Sequence, residues 1–462
     1  MEDFEKQFLF NFSPAKLQST FHDKIKNKTG KGIDGVSSAQ IEKNLGLISL
    51  GISKKVLSSQ YRFSPYLEIV KSKGRGKTPR IISKPTIRDK LTLCALKDTL
   101  HYCYDSCIQK QLPNSFIREI KDLISKNDLG KTHYLKIDIK GFYDNLDHTN
   151  LLENYLGELN NEHLIALIRR AIKNKTVPKN YKKKDSSKYH GTRGVPQGLS
   201  ISNVLAGIYM SGFDKEHSNI GIKYLRYVDD ILIFAHEYEI LAIEEQIDKA
   251  LNQIGLETNE KTEKGLISKP FDYLGYKISS EKISVRESTI DRFINSIIAM
   301  FTDFKLNFHY RVENSKWLTP DHMKTLFLLN INEKITGAIT ETKRYGWIFY
   351  FIEITDIHRL HKLDSIISKQ FSRLEMFNKQ PPKELKSLVK SHYSAKYSTF
   401  DGYIHNYGVY KSTIEKIRFL VKFGYLNEQD TKNFTEEEIA RKFEIAKSTR
   451  LVKLEEDIGN IS

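Results

Sequence analysis

The chain is poor in sulfur. Its 462 residues include three cysteines, Cys94, Cys103 and Cys107, with no CxxC pair, and its histidines form no cluster at zinc-ligand spacing. A disulfide framework and a structural zinc site are both disfavoured, and the expected location is a reducing cytoplasm. Long apolar runs are also missing: no uncharged stretch approaches the roughly 20 residues that cross a bilayer. The opening "MEDFEKQFLFNFSPAK" has acids where a signal peptide needs a basic segment. The expectation is a soluble, unexported protein with no membrane partner. No repeat of fixed period and no low-complexity segment is visible.

Positive charge is abundant. Lysine plus arginine number 73 against 57 acids, a net charge of +16 with a pI of about 9.3. That balance favours a polyanionic partner, nucleic acid ahead of a merely soluble basic protein or an anionic membrane surface. The excess is concentrated between Arg169 and Arg193, where ten basic residues, Lys182, Lys183 and Lys184 among them, accompany the single acid Asp185. Such a run is either a solvated loop or a track for backbone phosphates.

Length alone suggests two to four domains at about 150 residues each. "KSKGRGKTPR", Lys71 to Arg80, separates the β-rich runs "YLEIV" and "RIIS" as a long cationic hairpin tip would. In "EILAIEEQIDKALNQIGL", Ile240, Ile243, Ile247, Leu251 and Ile254 share one helical face and are expected to pack in the core. Paired prolines in "NKQPPKE", Asn378 to Glu384, mark a linker before a helical, charged C-terminal part.

Two acidic strand ends carry the chemistry. In "LRYVDDILIF" the polar and apolar residues alternate up to Val228, and Ile231 to Ala235 is continuously apolar. This predicts a hairpin whose second strand is buried on both faces, with Asp229 and Asp230 at the turn. Alone, an Asp-Asp turn more often caps backbone amides than holds metal. "YLKIDIKGFYDNLDH" places Asp138 at the end of another apolar strand. Side by side in one sheet, the two strands could hold hard divalent cations through oxygen ligands. Two ions about 3.5–4 Å apart can activate a hydroxyl and stabilise a leaving pyrophosphate. Between the acids, "GTRGVPQGLSISNVLAGIYM" reads as a tight glycine loop followed by a helix, with Gln197 at the loop tip.

The order of Asp138 strand, "GVPQG" loop with helix, and "YVDD" hairpin resembles motifs A, B and C of reverse transcriptases. "GLETNEKTEKG" resembles motif D and "FDYLGYKIS" the motif E primer grip. Upstream, "GKGIDGVS" resembles a signature near the start of the bacterial enzymes, and "YRFSPYLEIVKSKGRGKTPRIISKPTIRDKL" their fingers. The resemblance implies an α+β right-hand polymerase with fingers, a palm with an antiparallel sheet and a helical thumb, plus a helical C-terminal extension. The expected parts are residues 1–130 (N-terminal region and fingers, with part of the palm interleaved), 131–280 (palm), 281–378 (thumb) and 379–462 (extension).

The same resemblance implies roles. Asp138, Asp229 and Asp230 would be catalytic and, with the Ile139 carbonyl, would hold two Mg2+ ions, Mn2+ being the alternative. Tyr143 would be the steric gate against a 2′-hydroxyl, or else ordinary core. Gln197 would lie against the incoming deoxynucleoside triphosphate, Arg80 would clamp its phosphates, and Lys261 would assist the departing pyrophosphate, with Lys264 as its competitor. Lys71, Lys73 and Lys77 at the finger tip, Lys182 to Lys184, and Lys343 and Arg344 in the thumb would meet nucleic acid. Trp347 and Arg359 belong to the same thumb stretch, Trp347 more often as core.

No HNH, zinc or RNase H pattern follows the thumb, and "YVDD" replaces the YADD usual in retrons. The description that fits best is a bacterial defence-associated or abortive-infection reverse transcriptase, related to retron and group II intron enzymes. It would copy a non-coding RNA template into DNA during antiviral defence. The alternatives are retron-type RNA-linked DNA, untemplated or protein-primed DNA, and an inactive nucleic-acid scaffold. A homo-oligomer or a second defence protein is a further candidate partner.

Two C-terminal stretches stay open in sequence. "SHYSAKYSTFDGYIHNYGVYK" interleaves Tyr393, Tyr397, Phe400, Tyr403, Tyr407 and Tyr410 with Lys396 and Lys411, as either aromatic core or a base-stacking surface. "FTEEEIARKFEIAKSTRLVKLEEDI" opens with a capping box at Thr435 and Glu438. It is expected to be a solvated or oligomer-forming helix rather than a DNA-reading helix-turn-helix, since Glu444 stands where a turn glycine is usual.

Overall fold

A computed structural model describes residues 2–26, 30–72, 78–159, 161–189, 193–260, 262–315 and 317–458. The chain divides into two compact units, Met1–Gln111 with Lys131–Leu266, and Leu112–Gly130 with Ile267–Ser462.

In the first unit, β1 (Tyr66–Lys71) and β2 (Arg80–Lys84) pair antiparallel with Lys71 opposite Arg80, the hairpin that the sequence predicts. A later short strand, β4 (Thr176–Val177), adds to β1 in parallel. The central sheet is formed by β3 (Thr132–Asp138), β5 (Lys223–Tyr227), β6 (Asp230–His236) and β7 (Glu263–Leu266), in the order β5-β6-β3-β7. All its pairings are antiparallel.

Ile231 to Ala235 of β6 are completely buried, as their unbroken apolar run predicts. Each large side chain so buried contributes about 1.5–3 kcal/mol. The helix Glu237–Gln253 sets Ile240, Ile243, Ile247 and Leu251 into the same core. The helix Ser202–His217 adds Val204, Leu205, Ile208 and Met210.

The second unit contains the helix Pro113–Lys126, whose Phe116, Ile117, Ile120 and Ile124 form a buried stripe. It also contains a three-stranded sheet of β8 (Phe271–Tyr273), β9 (Tyr276–Ile278) and β10 (Ile283–Val285), and the long helices Glu287–Glu313 and Pro320–Thr336. The residues after the paired prolines do not stand apart from those before them. Asn332 donates to the Glu384 carbonyl and accepts from the Lys386 amide. Asp364 accepts from the amides of Leu388 and Val389. Short strands β11 (Ala338–Ile339) and β13 (His405–Asn406) pair in parallel, with β12 (Arg344–Tyr345) on the other side of β11.

The last helix, Glu436–Glu455, runs unbroken through Glu444 and has the predicted capping box. Ile439, Phe443, Ala446, Leu451 and Leu454 are buried in a cluster with Phe419 and Leu420. The expected solvated helix is thus a packed one, and there is no turn at Glu444 to divide it into a helix-turn-helix. Its Arg450 is buried with Glu333 at 2.5 Å. Glu333 also accepts from Tyr407 at 2.8 Å and contacts His405 Nδ1 at 2.6 Å. Among the described residues, no helix is long and apolar enough to cross a membrane.

Candidate active site

The register of the central sheet brings the acids together. Asp138, the last residue of β3, stands directly opposite Asp230, the first of β6. Tyr227 of β5 pairs with the same Asp230, so Val228 and Asp229 form a two-residue connection. Asp229 stays beside β3, because the Ile139 amide donates to its carbonyl at 3.3 Å. Like charges directly opposite each other across two strands repel. This placement therefore needs compensation, and a shared cation is the kind that suits oxygen donors.

The turn is strained and braced. Val228 has φ +58°, a conformation that β-branched residues rarely adopt. Arg226, 10% exposed, donates from Nη1 to the Val228 carbonyl at 2.7 Å. Its Nε donates to Asp214 Oδ1 at 2.6 Å, and its Nη2 pairs with Asp214 Oδ2. Tyr224 donates to the same Asp214 at 2.8 Å. A side chain on the helix Ser202–His217 thereby fixes an arginine that fixes the carbonyl just before the acid pair. Asn259 performs a similar service for Asp138, its amide donating to the Asp138 carbonyl at 2.7 Å and its Nδ2 to Oδ2 at 2.8 Å.

The glycine loop is held against the segment that follows β3. Val195 donates to the Tyr143 carbonyl at 2.7 Å and Gly194 to the Leu146 carbonyl at 2.9 Å. Gly194 has φ +89°, and a Cβ there would stand 2.8 Å from the Asp144 oxygen. Gly198 has φ +98°, and its Cβ would meet the Ile82 side chain at 2.6 Å. The Ser83 amide donates to the Gln197 carbonyl at 2.7 Å, tying the loop to β2, the strand that begins at Arg80. These contacts explain both glycines of "GVPQG".

Tyr143 links the two sides. Its hydroxyl donates to Asn203 Oδ1 at 2.9 Å. Burial, reinforced by the nearby Asp229, raises its pKa far above the usual phenol value, with Arg80 pulling the other way. Arg80 and Asp229 are therefore each within electrostatic reach of Tyr143, and the phenol is a protonated donor.

The remaining predicted residues divide. Lys71 is exposed at the end of β1, Lys182, Lys183 and Lys184 are exposed, and Lys343 and Arg344 are exposed in the second unit. Lys73, Lys77 and Lys261 lie outside the described residues. Lys264, the competitor of Lys261, is paired with Glu244 at 2.7 Å. Trp347 is buried and stacked on Phe293 at 4.7 Å, as the core alternative expects. Arg359 is paired with Glu287.

Residues 70–278 match the sequence profile of the family described as "Reverse transcriptase (RNA-dependent DNA polymerase)". They form a reverse transcriptase domain. The matched span contains Asp138, Tyr143, Gln197, Asp229 and Asp230. The fold of the chain is α+β, that of a right-hand polymerase. The chain is 28% identical over 193 residues to an uncharacterized 91 kDa protein in the cob intron of Schizosaccharomyces pombe, covering 41% of this chain. It is 24% identical over 237 residues to the group II intron-encoded protein LtrA of Lactococcus lactis, covering 49%. It is 22% identical over 196 residues to protein YkfC of Escherichia coli, covering 40%. The matches span 22%, 37% and 49% of those three proteins.

The donor set suits a hard cation. Three carboxylates and a strand-end carbonyl are oxygen ligands, which magnesium prefers over nitrogen or sulfur. Among the described residues, no three carboxylates, histidines or cysteines converge into a closed metal-ligand group. An ion here would draw together acids that the sheet register has already placed at adjoining strand ends.

Sequence reasoning missed Arg226, Asp214, Asn203 and Asn259. The one local signal was Arg226 itself, a charge two residues before the turn in a strand that is otherwise largely apolar and aromatic.

Proposed function

We propose that this protein is an RNA-directed DNA polymerase that extends DNA from deoxynucleoside triphosphates. The observation that carries the reading is the register Asp138 opposite Asp230, with Asp229 held at the adjoining turn. Asp138, Asp229 and Asp230, with the Ile139 carbonyl, would hold two Mg2+ ions. Bound there, they would lower the pKa of the attacking 3′-hydroxyl and neutralise charge on the leaving pyrophosphate. The chain's own residues orient the reactants. Arg80 suits a triphosphate because its planar fork of donors matches phosphate oxygens. Gln197, on a loop tied to β2, would lie against the incoming nucleotide, and the Tyr143 ring would exclude a ribose 2′-hydroxyl.

The template would be a dedicated non-coding RNA and the setting antiviral defence in a bacterial cytoplasm. Support comes from the polymerase core followed by a packed helical C-terminal part. Sequencing the RNA and DNA that copurify with the protein tests template and product together. A single enriched RNA with its complementary DNA is expected. DNA with no RNA complement would replace the templated reading with untemplated or protein-primed synthesis. RNA tightly bound without any DNA product, in a protein that never incorporates nucleotide, would leave only a scaffold.

A further inference from the structure

The aromatic stretch of the second unit resolves into two groups. Tyr407 is buried, while Tyr393, Tyr397 and Phe400 are 61%, 66% and 78% exposed. The helix Leu388–Tyr397 begins at the cap Ser387, whose hydroxyl accepts from the Lys390 amide. It buries Leu388, Ser391, His392 and Ala395 on one side. Lys390, Tyr393, Lys396 and Tyr397 lie on the other, exposed. The Tyr393 and Tyr397 rings are 5.1 Å apart, and the Lys396 ammonium lies 5.9 Å from the Tyr397 ring. Phe400 follows three residues later in the turn beyond the helix.

We infer that Tyr393, Tyr397 and Phe400, with Lys390 and Lys396, form a stacking platform for single-stranded nucleic acid; the inference rests on the polymerase reading and names a binding surface for its template or product. Three large rings left in solvent, in a unit that buries so many others, mark an interaction surface. The charge selects its occupant. The acid beside the patch, Asp401, is engaged, accepting from the Ser394 hydroxyl at 2.7 Å and the Tyr403 amide at 2.8 Å. Lys390 and Lys396 outnumber that one acid on the exposed face, and the positive balance suits phosphates. Alternating flat rings and ammonium groups match the alternation of bases and phosphates along an unpaired strand.

The platform is also firmly seated. Lys390 and Lys386 sit over the Tyr403 ring at 4.6 and 5.0 Å, and the Ser387 amide donates to the Tyr403 hydroxyl at 2.8 Å. The start of the helix and the Lys390 side chain are therefore ordered before binding.

The test uses the full chain and an oligo(U) RNA of roughly 20 nucleotides, labelled at its 5′ end and carrying 4-thiouridine. Ultraviolet crosslinks should map to the peptide holding Tyr393, Tyr397 and Phe400. In equilibrium binding, the triple variant Y393L/Y397L/F400L should bind more weakly by about a hundredfold or more, since each lost ring–base stack costs about fivefold or more. Y393F/Y397F should bind as the unchanged protein does, because stacking needs the ring and not the hydroxyl. K390Q/K396Q should make the salt dependence of binding shallower by about 1.4 in log–log slope.

The inference is overturned if the leucine variant keeps full affinity and the crosslinks fall elsewhere. Equal loss in the phenylalanine variant would overturn stacking as the mechanism. A concentration-dependent dimer that the leucine variant dissociates, with RNA binding unchanged, would assign the patch to a second copy of the chain. Asp138→Asn should abolish incorporation while keeping the crosslink, so failure of the platform and failure of the polymerase reading are told apart.

Discussion

Replacing Arg226 by methionine should cripple catalysis without removing any group that touches substrate. Arg226 makes two hydrogen bonds to Asp214 and one to the Val228 carbonyl. It is 10% exposed, whereas Asp214 is 31% exposed. Breaking a fully buried ion pair costs about 3–5 kcal/mol. Solvent at Asp214, and the hydrogen bond it keeps from Tyr224, reduce this to about 2–3 kcal/mol. Val228 stores about 1–3 kcal/mol of backbone strain at φ +58°. Without the bond to its carbonyl the turn can relax, taking Asp229 with it. A shift of about 1 Å at a reacting group costs on the order of a hundredfold in rate.

Single-turnover deoxynucleotide incorporation on a primed RNA template measures the rate, and thermal unfolding measures the stability. A double-mutant cycle sharpens the claim. Val228→Gly removes the left-handed penalty, so Arg226→Met should lose less activity in that background, with a coupling of about 1 kcal/mol. If R226M incorporates at the original rate, or if the two changes are strictly additive, the proposed brace on the acid turn is wrong.

Three further outcomes are expected. Gly198→Ala forces a Cβ to within 2.6 Å of the Ile82 side chain at φ +98°, and thermal unfolding should show a loss of about 2 kcal/mol or more together with slower incorporation. Tyr143→Val should let ribonucleotides compete, read as a rise of about tenfold or more in the ratio of ribonucleotide to deoxynucleotide incorporation; an unchanged ratio would return Tyr143 to the core. His148 places Nε2 at 2.7 Å from the Gly194 carbonyl; burial lowers its pKa, and that carbonyl pulls back only in part. The neutral form is therefore the one folded around the glycine loop. Its contribution is complete above the ordinary histidine pKa of about 6.5 and is lost as pH falls through the lower folded value. Thermal unfolding followed from pH 7 to pH 5 should fall less steeply for His148→Gln, which keeps a side-chain donor but cannot titrate.

The acid strand ends, the glycine loop and the buried hairpin were legible because each is local. A continuous apolar run closing on an acid, or glycines that close a tight loop, can be read within a dozen residues. Asp214 and Asn259 were not, because what they do depends on register. On the helix Ser202–His217, Asp214 reads as an ordinary surface acid until β5 sets Arg226 beside it. Asn259 reads as loop until it reaches Asp138 from 121 residues away. The last helix was misjudged for a related reason: its charges suggested a solvated face, but Arg450 points inward to Glu333 while Phe443 and Leu454 join the core. The aromatic stretch could be divided into core and surface only once the helix Leu388–Tyr397 had a buried side.

The central claim is that the acids of β3 and of the β5–β6 turn form a nucleotidyl-transfer centre. Incorporation of dTTP on a poly(rA) template primed with oligo(dT), in magnesium, tests it most directly. The unchanged protein should extend the primer, and Asp138→Asn and the Asp229→Ala, Asp230→Ala pair should each abolish extension while unfolding at a temperature no lower. Intact magnesium-dependent extension by either variant would contradict the account.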